Sequence, residues 1–365
     1  VLGIVPMAVI FFAVEALPIG ATGILMPILA YFFGLLPFNM IGKTFAGDAP
    51  LFMLGVFALG GTVVEVGFHK RLAVWLLGWT KGFWVPMIVL CFSMSIVGSF
   101  MSAPAMCSFM VPVMMAVYYG SVKATSPEGK VIHDPALAKF LLFSLCFALN
   151  MGGPGTPSAG GRNVIMMGFF TEYGIPITYS GWMKYGWGLV PLGSAMLLLY
   201  MATFFSKKIK TRDLTPGLKY IKDETRKMGK MSYAEWVTAV TLFCIVVLWI
   251  FGGEATGLGG PALLALVVPV LFKSVKFENI LGRISFNAWL MYCGALTLGA
   301  LLKESGGALW LAKTFLNGLS QIGMDEGYGL WVGMSGFSGL VTNFMSDAAT
   351  VALIGPIVVP MGIMT

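Results

Sequence analysis

Arg162 and Asp347 are charged residues that lie at polar breaks within otherwise apolar sequence. Arg162 belongs to the segment Ser158-Ala159-Gly160-Gly161-Arg162-Asn163. An arginine at membrane depth costs about 2.5–3.5 kcal/mol, so it normally faces a cavity or a partner. A guanidinium there predicts bidentate binding of a carboxylate or sulfo-oxygen, or a fixed positive charge replacing a cation. The structural alternative is an ion pair that holds the chain together.

Asp347 has the chemistry of a cation ligand. Carboxylate oxygens suit hard cations, and a carboxylate next to an anion site needs a cation or a proton to neutralise it. Asp347 is therefore predicted either to bind a hard cation such as sodium or to take up and release a proton. The alternative is structural: Ser346-Asp347 stands where a helix begins, and aspartate is a favoured N-cap.

Hydroxyl groups and glycines accompany the two charges. Ser102 and Ser346 lie at two similar polar breaks between apolar runs, and both are predicted to donate to a bound anion. Serines at such positions also cap helices. Thr156 offers a hydroxyl, and Gly160 and Gly161 allow unwound backbone close to a ligand. Glycines equally permit tight packing of membrane helices, so both interpretations stay open.

Composition places these residues in a membrane. The 365 residues are 58% hydrophobic and 11% charged, with a mean hydropathy of +0.86, whereas soluble domains carry about 25% charge. The net charge of +7 is concentrated in loops, which indicates lipid headgroups rather than nucleic acid as neighbours. The sequence has no metal-ligand spacing and no nucleophile with a base, so we expect no cofactor and no enzyme activity.

The apolar runs predict an all-α polytopic protein. Several are too short for an upright span and occur in pairs joined by polar breaks, which is typical of re-entrant hairpins and broken helices. Basic segments at Lys70-Arg71, Lys207–Lys230 and Lys273–Arg283 predict the cytoplasmic side. Counting the crossings places Val1 outside, so a preceding helix is expected.

Two stretches of the chain resemble each other. An offset of 239 residues aligns Gly55 with Gly294 and Gly67 with Gly306, and an offset of 244 aligns Phe100-Met101-Ser102 with Phe344-Met345-Ser346. The predicted topology runs the two copies in opposite directions, which makes them an inverted repeat. Inverted repeats with interrupted helices are the architecture of secondary transporters, whose sites lie near the bilayer midplane.

Short motifs in order along the chain carry a family resemblance. They are Glu15-Ala16-Leu17-Pro18-Ile19, Gly67-Phe68-His69-Lys70-Arg71-Leu72-Ala73, Gly152-Gly153 with Thr156-Pro157 and Asn163, and Thr342-Asn343-Phe344-Met345-Ser346 followed by Ala349-Thr350. With these motifs the sequence resembles the divalent anion:sodium symporters, which carry dicarboxylates, citrate or sulfate. The resemblance implies a homodimer in the cell (inner or plasma) membrane, with a scaffold domain and a transport domain that moves as an elevator.

The resemblance also assigns a domain plan. It implies scaffold helices of repeat 1 in 1–82, the first hairpin and broken helix in 83–172, and a linking helix with a basic cytoplasmic loop in 173–235. Scaffold helices of repeat 2 follow in 236–325, and 326–365 forms the second hairpin, after which a second broken helix is expected. Hairpins and broken helix form the transport domain.

By position, Ser102 and Ser346 match the family's tip serines, Thr342 matches a sodium-site residue, and Asn163 ends the broken-helix motif. The implied substrate-binding set is Ser102, Thr156, Gly160, Gly161, Arg162, Asn163 and Ser346, and the implied cation-binding set is Ser102, Thr342, Ser346 and Asp347. Sodium is the expected coupling ion, at Thr342 and Asp347. The first tip departs from the family pattern, with Ala103-Pro104 in place of Asn-Thr, and the second has Asp347 in place of Asn.

Three functions stay open on the sequence. The first is a secondary transporter of di- or tricarboxylates or sulfate-like anions, coupled to sodium or protons or acting by exchange. The second is a cation/proton antiporter that uses Asp347, and the third is a membrane receptor that does not transport.

Overall fold

The computed structural model describes residues 3–101, 103–126, 132–175, 177–227 and 229–365, and within these ranges the regular structure is helical throughout. The α-helices are α1 Ile4–Val14, α2 Ile19–Phe32, α3 Phe38–Ala46, α4 Asp48–Glu65, α5 Phe68–Leu77, α6 Trp84–Phe100, α7 Ala103–Thr125, α8 Pro135–Met151, α9 Gly161–Glu172, α10 Tyr179–Gly186, α11 Leu189–Phe204, α12 Thr215–Lys227, α13 Tyr233–Thr256, α14 Gly259–Leu271, α15 Phe277–Arg283, α16 Phe286–Glu304, α17 Gly307–Ser320, α18 Gly327–Val341 and α19 Asp347–Met364. A 3₁₀ turn, Pro157–Ala159, lies between α8 and α9.

The all-α polytopic prediction is confirmed. Among the described residues, four helical segments are long and apolar enough to cross a membrane: Phe38–Glu65, Tyr179–Phe204, Tyr233–Thr256 and Asp347–Met364. A fifth candidate, Phe277–Arg283 with Phe286–Glu304, is bent by 62° at its break. Shorter apolar helices such as α6 and α8 fit the prediction of paired segments that are too short to span upright.

Two local predictions are wrong. The expected basic turn at Lys70-Arg71 lies inside α5, and the expected basic loop in 207–230 contains α12. Helix α12 shows why a basic segment can still be helical. In α12, Leu218 is buried while Lys219 and Lys222 are exposed, so a segment polar on average still has an apolar face to pack.

Helices recur in the second half at the offset found in the sequence. Helices α2, α3, α4 and α5 correspond to α14, α15, α16 and α17, and the hairpin helices α6 and α7 correspond to α18 and α19. The aligned residues Gly67 and Gly306 both have positive φ, +78° and +70°, and each separates a long helix from the short one that follows. Opposite orientation of the two halves across the bilayer stays a prediction.

Two helix crossings show how the halves fit together. Helix α4 packs on α14, and α2 packs on α16. A Cβ at Gly55 would overlap Ala262, and a Cβ at Gly294 would overlap Gly23, so both crossings use residues related by the 239-residue offset. Trp289 Nε1 donates to the Pro50 carbonyl at 2.9 Å, and these two residues are themselves 239 apart. The two crossings are therefore equivalent contacts made reciprocally.

The buried apolar residues form two large clusters. The first hairpin packs with α8, α11 and α12 around residues such as Met94, Met110 and Leu145. The second cluster joins the helices of the predicted scaffold to α9 and α19. The break between α8 and α9 lies where the chain passes from one cluster to the other.

Candidate functional site

The break between α8 and α9 is held by side chains that bond to backbone carbonyls. Asn163 Nδ2 donates to the carbonyl oxygens of Gly153 at 2.7 Å and Thr156 at 2.8 Å. The Thr156 hydroxyl donates to the Ser99 carbonyl, and Ser158 bonds to both Thr156 and the Tyr179 hydroxyl. All these hydrogen bonds are buried, so the unwound backbone is satisfied within the protein, as a membrane interior requires.

The same break is tied to the first hairpin. Ser95 Oγ donates to the Ala148 carbonyl at 2.7 Å, and Ser99 Oγ donates to the Gly152 carbonyl at 2.9 Å. Both serines belong to α6 and both acceptors lie at the end of α8. Ser102, the serine predicted at the tip of this hairpin, lies outside the described residues.

At the second hairpin, the serine is the helix cap. The Ser346 hydroxyl accepts from the Ala349 N–H at 3.2 Å, so Ser346 is the N-cap of α19 and Asp347 is in its first turn. The structural alternative that made Asp347 the cap is therefore wrong, because the serine one residue earlier takes that position. The Thr342 hydroxyl donates to the Gly339 carbonyl of its own helix at 3.0 Å.

Arg162 and Asp347 form an ion pair between the two halves. Arg162 Nη1 lies 2.5 Å from Asp347 Oδ2, and the side chains are 28% and 56% exposed. The guanidinium also lies against Gly153, where a Cβ would overlap it. The pair thus joins the start of α9 to the start of α19, which the sequence separates by 185 residues.

A cavity of 330 Å³ surrounds this ion pair. From the hairpins and the break, its lining includes Ala103, Asn150, Ser158, Gly160, Gly161, Arg162 and Asp347. Helices α7, α9 and α19 all begin at this cavity, so three N-terminal dipole ends converge on it. The formal charges of Arg162 and Asp347 cancel, and the helix dipoles leave the cavity favourable to an anion.

The other wall of the cavity comes from the predicted scaffold. Met53, Val56 and Phe57 of α4 and Tyr292 of α16 line it. The Tyr292 ring stacks on Phe57, with ring centroids 6.3 Å apart, and a Cβ at Gly161 would overlap the Tyr292 ring. Sequence analysis missed Tyr292. Its signal was a phenol within a long apolar run, a polar group that needs a partner or a cavity.

The structure therefore brings most of the predicted residues together, but only some of them line the cavity, and the others stabilise the backbone around it. Gly160, Gly161, Arg162 and Asp347 line the cavity, Thr156 and Asn163 hold the broken helix, and Ser346 caps α19. No group of three His, Cys, Asp or Glu side chains that could hold a metal occurs in the described part of the chain. A larger cavity of 750 Å³ is lined by residues of α3, α4, α9, α13 and α16, and none of the predicted site residues lines it.

An interrupted helix between α8 and α9 and a cavity at helix N-termini are features expected of secondary transporters. The protein-family model described as "Citrate transporter" matches residues 9–364. The chain belongs to this family, and it is accordingly a multi-pass membrane transporter and not an enzyme.

Curated relatives agree with this class. The chain is 24% identical over 397 residues to the sodium-dependent high-affinity dicarboxylate transporter 3 of Caenorhabditis elegans, covering 96% of this chain and 68% of the relative. It is 23% identical to the sodium-dependent dicarboxylate transporter SdcS of Staphylococcus aureus, covering 84% of this chain and 63% of the relative. It is also 23% identical to an uncharacterized transporter of Haemophilus influenzae, covering 94% of this chain and 72% of the relative.

Proposed function

We propose that the protein carries a di- or tricarboxylate anion across the membrane, with the anion bound in the cavity around Arg162. The observation that carries this proposal is the convergence of Arg162 with the N-termini of α7, α9 and α19 on one cavity. Each of these groups favours negative charge. The worm and staphylococcal relatives are named as dicarboxylate transporters, which supports the same class of substrate.

Arg162 is the direct anion ligand in this proposal. Its guanidinium presents five N–H donors and uses part of them on Asp347, so an incoming carboxylate competes with Asp347 or shares the guanidinium with it. Gly160 and Gly161 leave room for the anion beside the start of α9. Thr156 and Asn163 act by fixing the backbone of the break and therefore position Arg162.

Sodium is the proposed coupling ion. When an anion engages Arg162, the Asp347 carboxylate loses part of its charge compensation in a largely apolar cavity. A sodium ion held by Asp347 and nearby backbone carbonyls restores it, because carboxylate and carbonyl oxygens suit hard cations. The sodium-dependent relatives support this choice. Ser102, Thr342 and Ser346 complete the proposed cation set.

The proposed motion separates the two walls of the cavity. The hairpins and the broken helix form a transport domain that slides as an elevator against scaffold helices α4 and α16, in a homodimer held together by its scaffold. The cavity lies on the boundary between these parts, with Arg162 on one wall and Tyr292 on the other.

Uptake into proteoliposomes tests the proposal. Radiolabelled succinate, citrate and sulfate are offered to the full-length protein with an inward gradient of sodium, with potassium in its place, and with a proton gradient alone. We expect uptake of at least one carboxylate, stimulated by sodium and lost in Arg162→Ala. Absence of uptake and of counterflow for every divalent anion contradicts the proposal.

The Arg162–Asp347 pair also favours a second candidate, a cation/proton antiporter. A carboxylate that exchanges an arginine for a sodium ion or a proton can carry cations without any anion. A sodium-driven pH change inside vesicles that is lost in Asp347→Asn, and that needs no organic anion, would identify this function instead.

A further inference from the structure

A third space, an open groove, lies away from the cavity around Arg162, beside helices α5, α6 and α12. It is a groove of 540 Å³ formed by Trp75, Leu76, Gly78 and Trp79 of α5 and the residues after it, Val89 of α6 and Lys222 of α12. We call it the Trp–Lys groove. Trp75 and Trp79 are 74% and 64% exposed, so two indole rings stand outside the protein core.

Hydrogen bonds next to the groove connect the elements that form it. The Gly82 N–H donates to Thr215 Oγ1 at 2.9 Å, and the Leu214 N–H donates to the Gly82 carbonyl at 3.0 Å. These two bonds fasten the start of α12 to the connection between α5 and α6. Asp213 accepts from the Thr215 N–H and hydroxyl, and these bonds hold the pKa of the Asp213 carboxyl below its usual value. The groove is therefore formed in the folded chain.

Helix α12 presents a basic face beside the groove. Leu214 and Leu218 are buried against the hairpin, while Lys219, Lys222 and Arg226 are exposed. Over 215–227 the sequence holds Lys219, Lys222, Arg226 and Lys227 against Asp223 and Glu224. A short amphipathic helix with a basic polar face, next to exposed tryptophans, is typical of a segment at the membrane surface.

We propose that the Trp–Lys groove binds an anionic phospholipid. Lys222 at the rim contacts the phosphate, and an acyl chain lies along the indoles of Trp75 and Trp79 and the side chain of Val89. Charge complementarity selects an anionic lipid, because Lys/Arg segments beside apolar helices attract the anionic headgroups of the cytoplasmic leaflet. A lipid in this position links α5 to α6 and α12. The proposal does not depend on which ion the protein transports.

Lipid retention by the full chain tests the proposal directly. The protein is purified in detergent with equal amounts of phosphatidylglycerol and phosphatidylcholine, and the bound lipids are counted by native mass spectrometry. Lys222→Glu should lower phosphatidylglycerol retention about fivefold, because one lysine near an anionic surface contributes about that factor. Lys222→Arg should keep it, and phosphatidylcholine should not change. Lys313→Glu is the matched control, because Lys313 is an exposed lysine on α17, the helix that corresponds to α5, and does not line the groove.

Three results would overturn the proposal. The first is equal phosphatidylglycerol retention by the wild type and Lys222→Glu. The second is an equal loss in Lys313→Glu, which would mean that any surface lysine suffices. The third is conversion of a dimer to a monomer by Lys222→Glu with lipid retention unchanged, which would assign the groove to a second copy of the chain. Size-exclusion elution and the melting temperature verify that each variant is folded.

Discussion

The two predicted hairpins are built on corresponding helices, but their first helices, α6 and α18, are packed differently. Helix α6 buries Met87, Leu90 and Met94 beneath α8 and α11, and its serines bond to the end of α8. Helix α18 buries Leu330 among its described residues, while Tyr328 and Trp331 are 82% and 67% exposed. The first hairpin is bonded to the end of α8, before the break, whereas the second packs on α9, after the break, through α19.

The two sides of the site also differ in how easily a ligand can change them. On the first side, Asn163, Thr156 and Ser99 satisfy the unwound backbone with buried hydrogen bonds. On the second side, Asp347 reaches Arg162 through one partly exposed ion pair. A bound ion can displace an exposed ion pair far more easily than a buried network, because the pair has little stability to lose. We infer that ligand binding changes the second tip more than the first.

The largest effect on uptake and stability is expected at the contact between the start of α9 and α16. Gly161→Ala places a methyl group in the Tyr292 ring, and overpacking of this kind costs about 1–3 kcal/mol or more. Uptake should fall to background and the melting temperature should drop. Gly160→Ala is the matched control, because the nearest atom to its added Cβ is Arg162 Cγ at 4.0 Å.

A double variant sharpens this prediction. Tyr292→Ala removes the ring that the added methyl group meets, so Gly161→Ala with Tyr292→Ala should be more stable than the sum of the two single changes. Additive losses in melting temperature would contradict a direct contact between the two positions.

The next largest effect is expected from loss of the buried hydrogen bonds that hold the break between α8 and α9. Asn163→Ala leaves the buried carbonyls of Gly153 and Thr156 without their donor, which should lower the free energy of unfolding by about 2–3 kcal/mol. Chemical denaturation in detergent measures it. Asn150→Ala serves as the control, because this asparagine also lies near the cavity but is exposed. Equal losses in both variants would remove the special role given to Asn163.

A smaller loss of stability is expected when the N-cap of α19 is removed. Ser346→Ala removes the side-chain acceptor of the Ala349 N–H and should cost about 1 kcal/mol, while Ser346→Thr should keep most of the capping energy. The comparison between the halves predicts that the loss is smaller than that of Asn163→Ala. The reverse order, measured by the same denaturation, would contradict it.

The smallest change in stability is expected from loss of the Arg162–Asp347 ion pair. Asp347→Asn should alter the free energy of unfolding by less than about 1 kcal/mol, since the ion pair is partly exposed. Its effect should appear in ion dependence instead, as a shift in the sodium concentration that gives half-maximal uptake. An unchanged sodium dependence would exclude Asp347 as a cation ligand.

Much of this organisation could be predicted from the sequence. Apolar runs indicated the long helices, and the 239-residue offset indicated a repeated set of helices, whereas the close contacts at Gly55 and Gly294 appear only in the structure. Helices α5 and α12 were missed, since charge averaged over the segment conceals an apolar face. Arg162 and Asp347 were found because charge is rare here, but their pairing was not, because 185 residues separate them. The support from Tyr179 and Tyr292 depends on packing between distant helices.

The central claim is that Arg162 binds the transported anion in the cavity where α7, α9 and α19 begin. Calorimetric titration of succinate and citrate in sodium buffer tests it most directly, comparing the wild type with Arg162→Ala. Arg283→Ala is the control, since it removes another arginine whose guanidinium is paired with a glutamate, Glu65, at 2.8 Å. We expect affinity about 10- to 100-fold lower in Arg162→Ala and unchanged in Arg283→Ala. Wild-type affinity in a folded Arg162→Ala protein would contradict it.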